Sequence, residues 1–310
     1  MKILVLGAGA TGGYFGGRLH QAGADVTFLV RAKRSQQLAT QGLVIESTQD
    51  KVTLPVKTVL AEGVKPDYDI VILACKAFDL DSGIAAITPA MGPATCVLPL
   101  LNGISHLDTL DAAFGKNRVM GGACQIAATL TQDGVVKAMT PAHTIIWGAR
   151  DAAQVALAQK LGDAFVKTAV DWKVSNDIML DMWEKVTFLC TLAGMTCLMR
   201  ASVGDILAAP HGHSLIRRYF DSCVAIATQE GFALRPSVIE RFQTMLSAKG
   251  SPLNASMLRD IENKLPVEAD HVVGFMLNKA RRHGIDDQML TLAYTHLKAY
   301  EARRARQAAS

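Results

Sequence analysis

Lys2-Ile3-Leu4-Val5-Leu6-Gly7-Ala8-Gly9-Ala10-Thr11-Gly12 opens the chain, and Tyr14, Phe15, Arg18 and Leu19 carry the pattern on towards Gly23. Ile3 to Leu6 is a short apolar run that stops at a glycine, as a strand buried on both faces does. The residues after Gly7 switch to helical spacing, and the helix is expected to stop near Gly23. A second strand is expected over Asp25 to Val30. Strand, glycine turn, helix and strand in this order are the setting that the pattern G-x-G-x-x-G needs to bind a dinucleotide. Gly7 would make the tight turn, Gly9 would let the backbone approach a pyrophosphate, and Gly12 would let helix and strand pack closely. The helix start, reached through Ala8, Ala10 and Thr11, would then turn its unpaired N–H groups towards the phosphate charge.

Working outward, Asp69 to Cys75 and Thr95 to Leu101 read as further apolar strands, each followed by a polar turn and a helical stretch. That rhythm predicts a doubly wound parallel sheet of the Rossmann type. Ala123 to Leu130, a turn at Asp133-Gly134, and runs at Val135-Val136 and Thr144 to Trp147 predict an antiparallel addition. A helix over Asp151 to Thr168 leads to a short strand at Ala169 to Val174. From about Ser175 strand signals nearly vanish. Helices are predicted over Asp177 to Met199, His213 to Glu230, Ser237 to Ala248, Pro266 to His283 and Gln288 to Arg304, punctuated by Pro236, Pro252 and Pro266. The expected architecture is therefore an N-terminal Rossmann-like domain over residues 1–170 and a C-terminal all-α domain over residues 171–310.

Composition narrows the function. The 310 residues are about twice a common domain length. Half are hydrophobic and 19% charged, enough apolar content for a substantial core. Lys and Arg number 32 against 28 Asp and Glu, a net charge of +4 that speaks against a nucleic-acid or membrane-surface protein. Six cysteines (Cys75, Cys96, Cys124, Cys190, Cys197 and Cys223) contain no Cys-x-x-Cys pair and mostly sit in apolar runs. They are expected to be reduced and mostly buried in a cytoplasmic protein, since the chain starts directly on a strand with no signal peptide ahead of it. Zinc-finger spacing is absent. His211 and His213 with Asp205 read as surface residues of a Gly/Pro loop, so no metal is expected. Val186 to Met199 is too short for a membrane span and suits a buried helix.

Several residues carry candidate chemistry. An NAD enzyme places Asp or Glu at the end of its second strand to hold the ribose. This chain has Arg31, Lys33 and Arg34 there. Cations at that point can pair with the extra phosphate of NADPH, with Arg31 the best single contact. Lys76 and Asn102-Gly103 directly follow two predicted parallel strands, where open α/β sheets bind ligands. Ile178, Met182, Lys185, Leu189, Leu192 and Thr196 share one helix face, which puts Lys185 within an apolar stripe. Either its ammonium snorkels to solvent, or it points into a cleft where desolvation would lower its pKa and make it a better proton donor. Glu268 begins another helical pattern with Val272 and Phe275.

The ordered set of these features resembles the ketopantoate reductases (2-dehydropantoate 2-reductases) over nearly the whole chain. It comprises the glycine motif, Arg31, Lys76, Asn102-Gly103, Trp183-Glu184-Lys185, Ser256-Met257-Leu258-Arg259-Asp260-Ile261, Glu268, Gly274-Phe275 and Ala280-Arg281-Arg282-His283-Gly284-Ile285. The resemblance implies a Rossmann domain and a helical domain with the active site in the cleft between them. It implies NADPH-dependent reduction of a 2-oxo acid to a 2-hydroxy acid, in pantothenate biosynthesis if the substrate is 2-dehydropantoate. By position, Lys185 is similar to the family's general acid and Asn102 to the residue touching cofactor and substrate. Ser256 matches a substrate contact, and Glu268 the acidic residue at the cofactor–substrate junction. Lys76 and the backbone near Ala128 match cofactor contacts. The chain departs from the family pattern at Leu189, Ala193 and Val203, where asparagines are usual. That implies a less polar 2-oxo acid, with Thr196 or Arg200 recruited to compensate. Two other readings stay open: a β-hydroxyacid-dehydrogenase-like enzyme, and a catalytically silent NADPH-binding protein. Oligomeric state is left open, a homodimer included.

Overall fold

In the computed structural model, which describes residues 1–309, the chain runs through β1 (Lys2–Leu6), α1 (Ala10–Gln21), β2 (Asp25–Leu29), α2 (Ala32–Gln41), β3 (Leu43–Glu46), β4 (Lys51–Leu54), β5 (Lys57–Val59), β6 (Ile70–Leu73), α3 (Leu80–Ile87), β7 (Cys96–Pro99), α4 (His106–Phe114), β8 (Gly121–Leu130), β9 (Val136–Gly148), α5 (Val155–Phe165) and β10 (Asp171–Ser175). The first sheet has the order β5-β2-β1-β6-β7 and is parallel throughout. Its inner strands are buried along nearly their whole length, which is why β6 reads Ile-Val-Ile-Leu with no alternation.

A second sheet has the order β10-β9-β3-β4, with β8 antiparallel along β9. The sequence had suggested only part of it. The runs at Val135-Val136 and Thr144 to Trp147 are two ends of the single long strand β9. The short strands β3 and β4 of this sheet, and β5 at the edge of the first, carry no clear strand pattern in the sequence. Helix α1 is packed by both sheets through glycines on adjacent faces. A Cβ at Gly16 would lie 2.9 Å from Phe28 and Val5 of the first sheet, and one at Gly17 would lie 2.5 Å from Ile45 of the second. Trp147 of β9 anchors the core beyond, with Phe165 and Trp172 rings 5.0 and 5.9 Å away. At the far end of α1, Arg18 grips Asp50 through both guanidinium nitrogens (2.7 and 2.5 Å), and Tyr14 Oη lies 2.5 Å from His143 Nδ1.

The second half is helical: α6 (Ile178–Met199), α7 (Val203–Ala208), α8 (Gly212–Gln229), α9 (Pro236–Leu246), α10 (Ser256–Glu262), α11 (Phe275–Arg282) and α12 (Gln288–Ala309). The expected helix over Pro266 to His283 is instead an irregular segment, a π-helical turn at Asp270–Gly274, and then α11. Two compact units result. One comprises Met1–Leu101 and His106–Ile178; the other comprises Asn102–Ser105 and the residues from Met179 on. Because β10 pairs with β9, the first unit runs on past residue 170. Helices α6, α8 and α12 are each 18 residues or longer, yet no helix among the described residues is apolar enough to cross a membrane.

Candidate active site

In the first unit, the β1–α1 turn has glycines with distinct physical reasons. Gly7 has φ +89°, a left-handed conformation that favours glycine. At Gly12 a Cβ would stand 2.3 Å from the Gly7 carbonyl oxygen and 3.1 Å from Ala74 Cβ. Gly9 has ordinary φ of −87°, and a Cβ there would meet nothing within 4 Å. Neither backbone strain nor packing calls for glycine at position 9, which fits a role towards a ligand. Gly9 caps α1 without a side-chain hydrogen bond, and no acidic residue lies in the first turn. The turn thus offers uncapped N–H groups at the positive end of a twelve-residue helix, a fit for a pyrophosphate.

The basic residues after β2 divide their labour. Arg31 and Lys33 are exposed on the first turn of α2. Arg34 is half-buried, and its guanidinium donates to the Ala8 carbonyl (2.9 Å), the Gly134 carbonyl (3.0 Å) and Gln37 (2.6 Å). It braces the glycine turn against the β8–β9 hairpin, so it does not belong with Arg31 as a phosphate contact. Burial lowers its pKa, although a guanidinium stays charged. Lys76 is exposed three residues after the end of β6, at the head of a 3₁₀ turn over Ala77–Asp79. Ala128 follows a break in the β8–β9 register, where Ala127 stands against Met139 to Ala142. Such breaks re-aim backbone groups at the rims of sheets.

In the second unit, successive residues of α6 point about 100° apart, and Trp183, Glu184 and Lys185 use three directions. Trp183 stacks on Phe232 (5.5 Å between centroids) and packs on Phe275 (5.8 Å). Glu184, buried, accepts from Arg235 Nε (2.8 Å) and from the Arg235 backbone N–H (3.0 Å), and Arg235 also bonds Asp181 one turn earlier. Those bonds, led by the one to Glu184, push the Arg235 pKa up. With the helix locked on two sides, half-buried Lys185 projects on the third and donates to Asn102 Oδ1 at 3.2 Å. Two residues singled out from the sequence, 83 positions apart, thus meet.

Glu268 is buried (6% exposed) just ahead of the π-helical turn. Ser256 begins α10. The loop before it is pinned to α6 and α7: Ala255 N–H donates to Thr196 Oγ1 (3.4 Å) and Val203 N–H to the Leu253 carbonyl (2.9 Å). The departures from the family pattern are not equivalent. Ala193 and Val203 are each 1% exposed and belong to the core, whereas Leu189 is half-buried one turn beyond Lys185. At 1.5 Å per residue, Thr196 stands about 16 Å along the axis from Lys185, and Arg200 lies just past the end of α6 with φ +53°. Sequence reasoning missed Arg235 and the bracing role of Arg34. Two carboxylates on an otherwise apolar helix were the available signal for a cation such as Arg235.

A parallel sheet with a ligand-ready glycine turn, together with a helical unit presenting a lysine–asparagine pair, defines a two-part protein of the Rossmann type. The family description Ketopantoate reductase PanE/ApbA matches residues 3–151, and Ketopantoate reductase PanE/ApbA C terminal matches residues 177–301. The chain belongs to the ketopantoate reductase family, a family of oxidoreductases. It is 34% identical over 304 residues to the uncharacterized oxidoreductase YkpB of Bacillus subtilis (strain 168), covering 98% of this chain and all of that one. The crystal structure of 2-dehydropantoate 2-reductase from Geobacter metallireducens GS-15 is 27% identical, covers 96% of this chain and 99% of its own, and superposes with a TM-score of 0.86. D-mandelate dehydrogenase shares the fold, at 24% identity over 98% of this chain and 100% of its own, with a TM-score of 0.87.

Proposed function

We propose that this protein reduces a 2-oxo acid to the corresponding 2-hydroxy acid with NADPH. The carrying observation is the Lys185–Asn102 hydrogen bond on the helical unit. When bound, a reduced nicotinamide supplies hydride to the keto carbon. The chain's own residues do the rest. The N–H groups at the start of α1 and the bare backbone at Gly9 hold the pyrophosphate, and Arg31 pairs with the 2′-phosphate. Lys76 and the strand edge at Ala128 are further cofactor contacts. The Lys185 ammonium donates a proton to the carbonyl oxygen as negative charge develops there. Asn102 fixes the direction of that ammonium and turns its amide N–H₂ to the substrate. Ser256 contacts the substrate, and Glu268 supplies the acidic group beside it.

Family membership supports the reaction type, and Leu189 bears on the substrate. An amide at that position would favour a polar tail; a leucine one turn from the proton donor favours an apolar one. The substrate class is 2-dehydropantoate and related 2-oxo acids, and within it Leu189 favours those with a less polar tail. The test is NADPH oxidation across a panel of 2-oxo acids, aliphatic and aryl, with NADH as control. Lys185→Ala should keep NADPH binding and lose turnover. Retained turnover in that variant would remove the assignment, and high activity on 2-dehydropantoate would remove the preference for an apolar tail.

A further inference from the structure

Asn102 can serve Lys185 only if the four residues Asn102–Ser105 are held on the helical unit, although the chain on both sides belongs to the other unit. Two contacts hold them, and both lead to His271. Its ring Nδ1 lies 3.2 Å from Ser105 Oγ. Its carbonyl oxygen lies where Gly103 passes so closely that a Cβ would stand 2.5 Å away; Gly103 also has φ +84°. The first contact is made by the His271 side chain and the second by its backbone.

His271 is itself firmly placed. It lies in the π-helical turn Asp270–Gly274, a wide turn that shifts the following residues around the axis. Asp270 accepts from Tyr294 Oη (2.5 Å) and Lys298 Nζ (3.0 Å), both on α12. Gly274 passes so near the Tyr294 ring that a Cβ would be 2.8 Å from it. The turn is braced from α12 on one side and presents His271 to the Asn102 segment on the other.

We propose that His271 is a positioning residue. Through its ring on Ser105, with its backbone carbonyl against Gly103 as the fixed seat, it sets the Asn102 amide in line with the Lys185 ammonium, and it takes no proton from substrate or cofactor. The inference rests on the reading of Lys185 as proton donor. Removing the contact leaves Lys185 and Asn102 in place chemically but lets their alignment wander, a loss that falls on kcat rather than on cofactor binding.

The test uses the full-length protein with His271→Ala, His271→Asn, Ser105→Ala and the double Ser105→Ala/His271→Ala. Each alanine variant should lower kcat about five- to tenfold, the worth of one ordered hydrogen bond, with the NADPH dissociation constant within about twofold of wild type. The double variant should fall no further than the worse single one, because both changes remove one contact. Asparagine, whose side-chain oxygen can reach the place of Nδ1, should restore most of the rate. Amide hydrogen exchange at 102–105 should quicken in both alanine variants without any ligand present. Wild-type kcat in the alanine variants, additive losses in the double, or unchanged exchange at 102–105 would each overturn the proposal. If the wild-type protein reduces none of the oxo acids, the functional reading fails, and the exchange measurement still decides the role of His271.

Discussion

Gly9→Ala and Gly12→Ala, three residues apart in the same turn, should fail in different ways. At Gly12 the added methyl would lie 2.3 Å from the Gly7 carbonyl oxygen, against an ordinary contact of 3.4 Å or more. Helix and strand must part by about 1 Å, and overpacking of this kind costs about 1–3 kcal/mol. Alanine returns up to about 1 kcal/mol through its better helix propensity. A net loss of about 1–2 kcal/mol remains, or about 2–8 °C in midpoint for a unit of this size. At Gly9 the methyl meets no protein atom, so the midpoint should move by less than about 2 °C, the modest cost of a poorer helix cap. Cofactor binding should separate them further. A methyl at Gly9 stands where the pyrophosphate must approach, so the NADPH dissociation constant should rise about tenfold or more. Thermal unfolding without ligand and a fluorescence titration with NADPH measure both quantities. A Gly9→Ala variant that binds NADPH like the wild type would refute the assignment of the turn, whatever happens at Gly12.

Three further outcomes are expected. Arg31→Ala should weaken NADPH about 10–100-fold, the worth of one charge-assisted contact, and leave NADH nearly unchanged; equal effects on both would dissociate Arg31 from the 2′-phosphate. Arg18 holds the Asp50 carboxyl down at about 2 from its usual 3.8, so the stability this pair contributes is present above pH 3.8 and is lost as pH falls towards 2. Because the Asp50 side chain is 38% exposed, Asp50→Asn should cost only about 1–2 kcal/mol at neutral pH and flatten the acid limb of a urea-unfolding series. Arg235→Met leaves the buried Glu184 carboxylate without its guanidinium and should cost about 2–4 kcal/mol by urea unfolding; adding Asp181→Leu and Glu184→Leu should recover most of it, and an additive further loss would contradict the clamp.

Much of the fold could be read along the chain because its signals are local. A strand that ends in Gly7, the unbroken Ile70–Leu73 run and the 4-3-4-3-4 spacing through Lys185 each need only a few neighbouring residues to be recognised. The short strands β3, β4 and β5 have only three or four residues each, too few for alternation to stand out; β3 and β5 pair with strands far along the chain, and β4 is the outer arm of a hairpin with β3. Strand β9 reads as two runs in the sequence because Pro141 and the polar residues around it interrupt its apolar pattern. At the site, Lys185 and Asn102 were legible one at a time, since each stands out against its local setting. Their meeting was not, and neither was the service of Arg235 or His271, because those depend on which helices the chain brings together after folding.

The membership of Asn102–Ser105 bears on how this protein could be divided. A chain cut between the two match regions would leave the lysine on one fragment and its amide acceptor on the other. A fragment beginning at Met179 would carry the ammonium donor with no oxygen opposite it and His271 with no serine to meet. Complementation by separately expressed halves would therefore require a peptide loop of the first fragment to thread back onto the second, and a graft of the helical half onto another nucleotide-binding scaffold would need to bring these four residues with it.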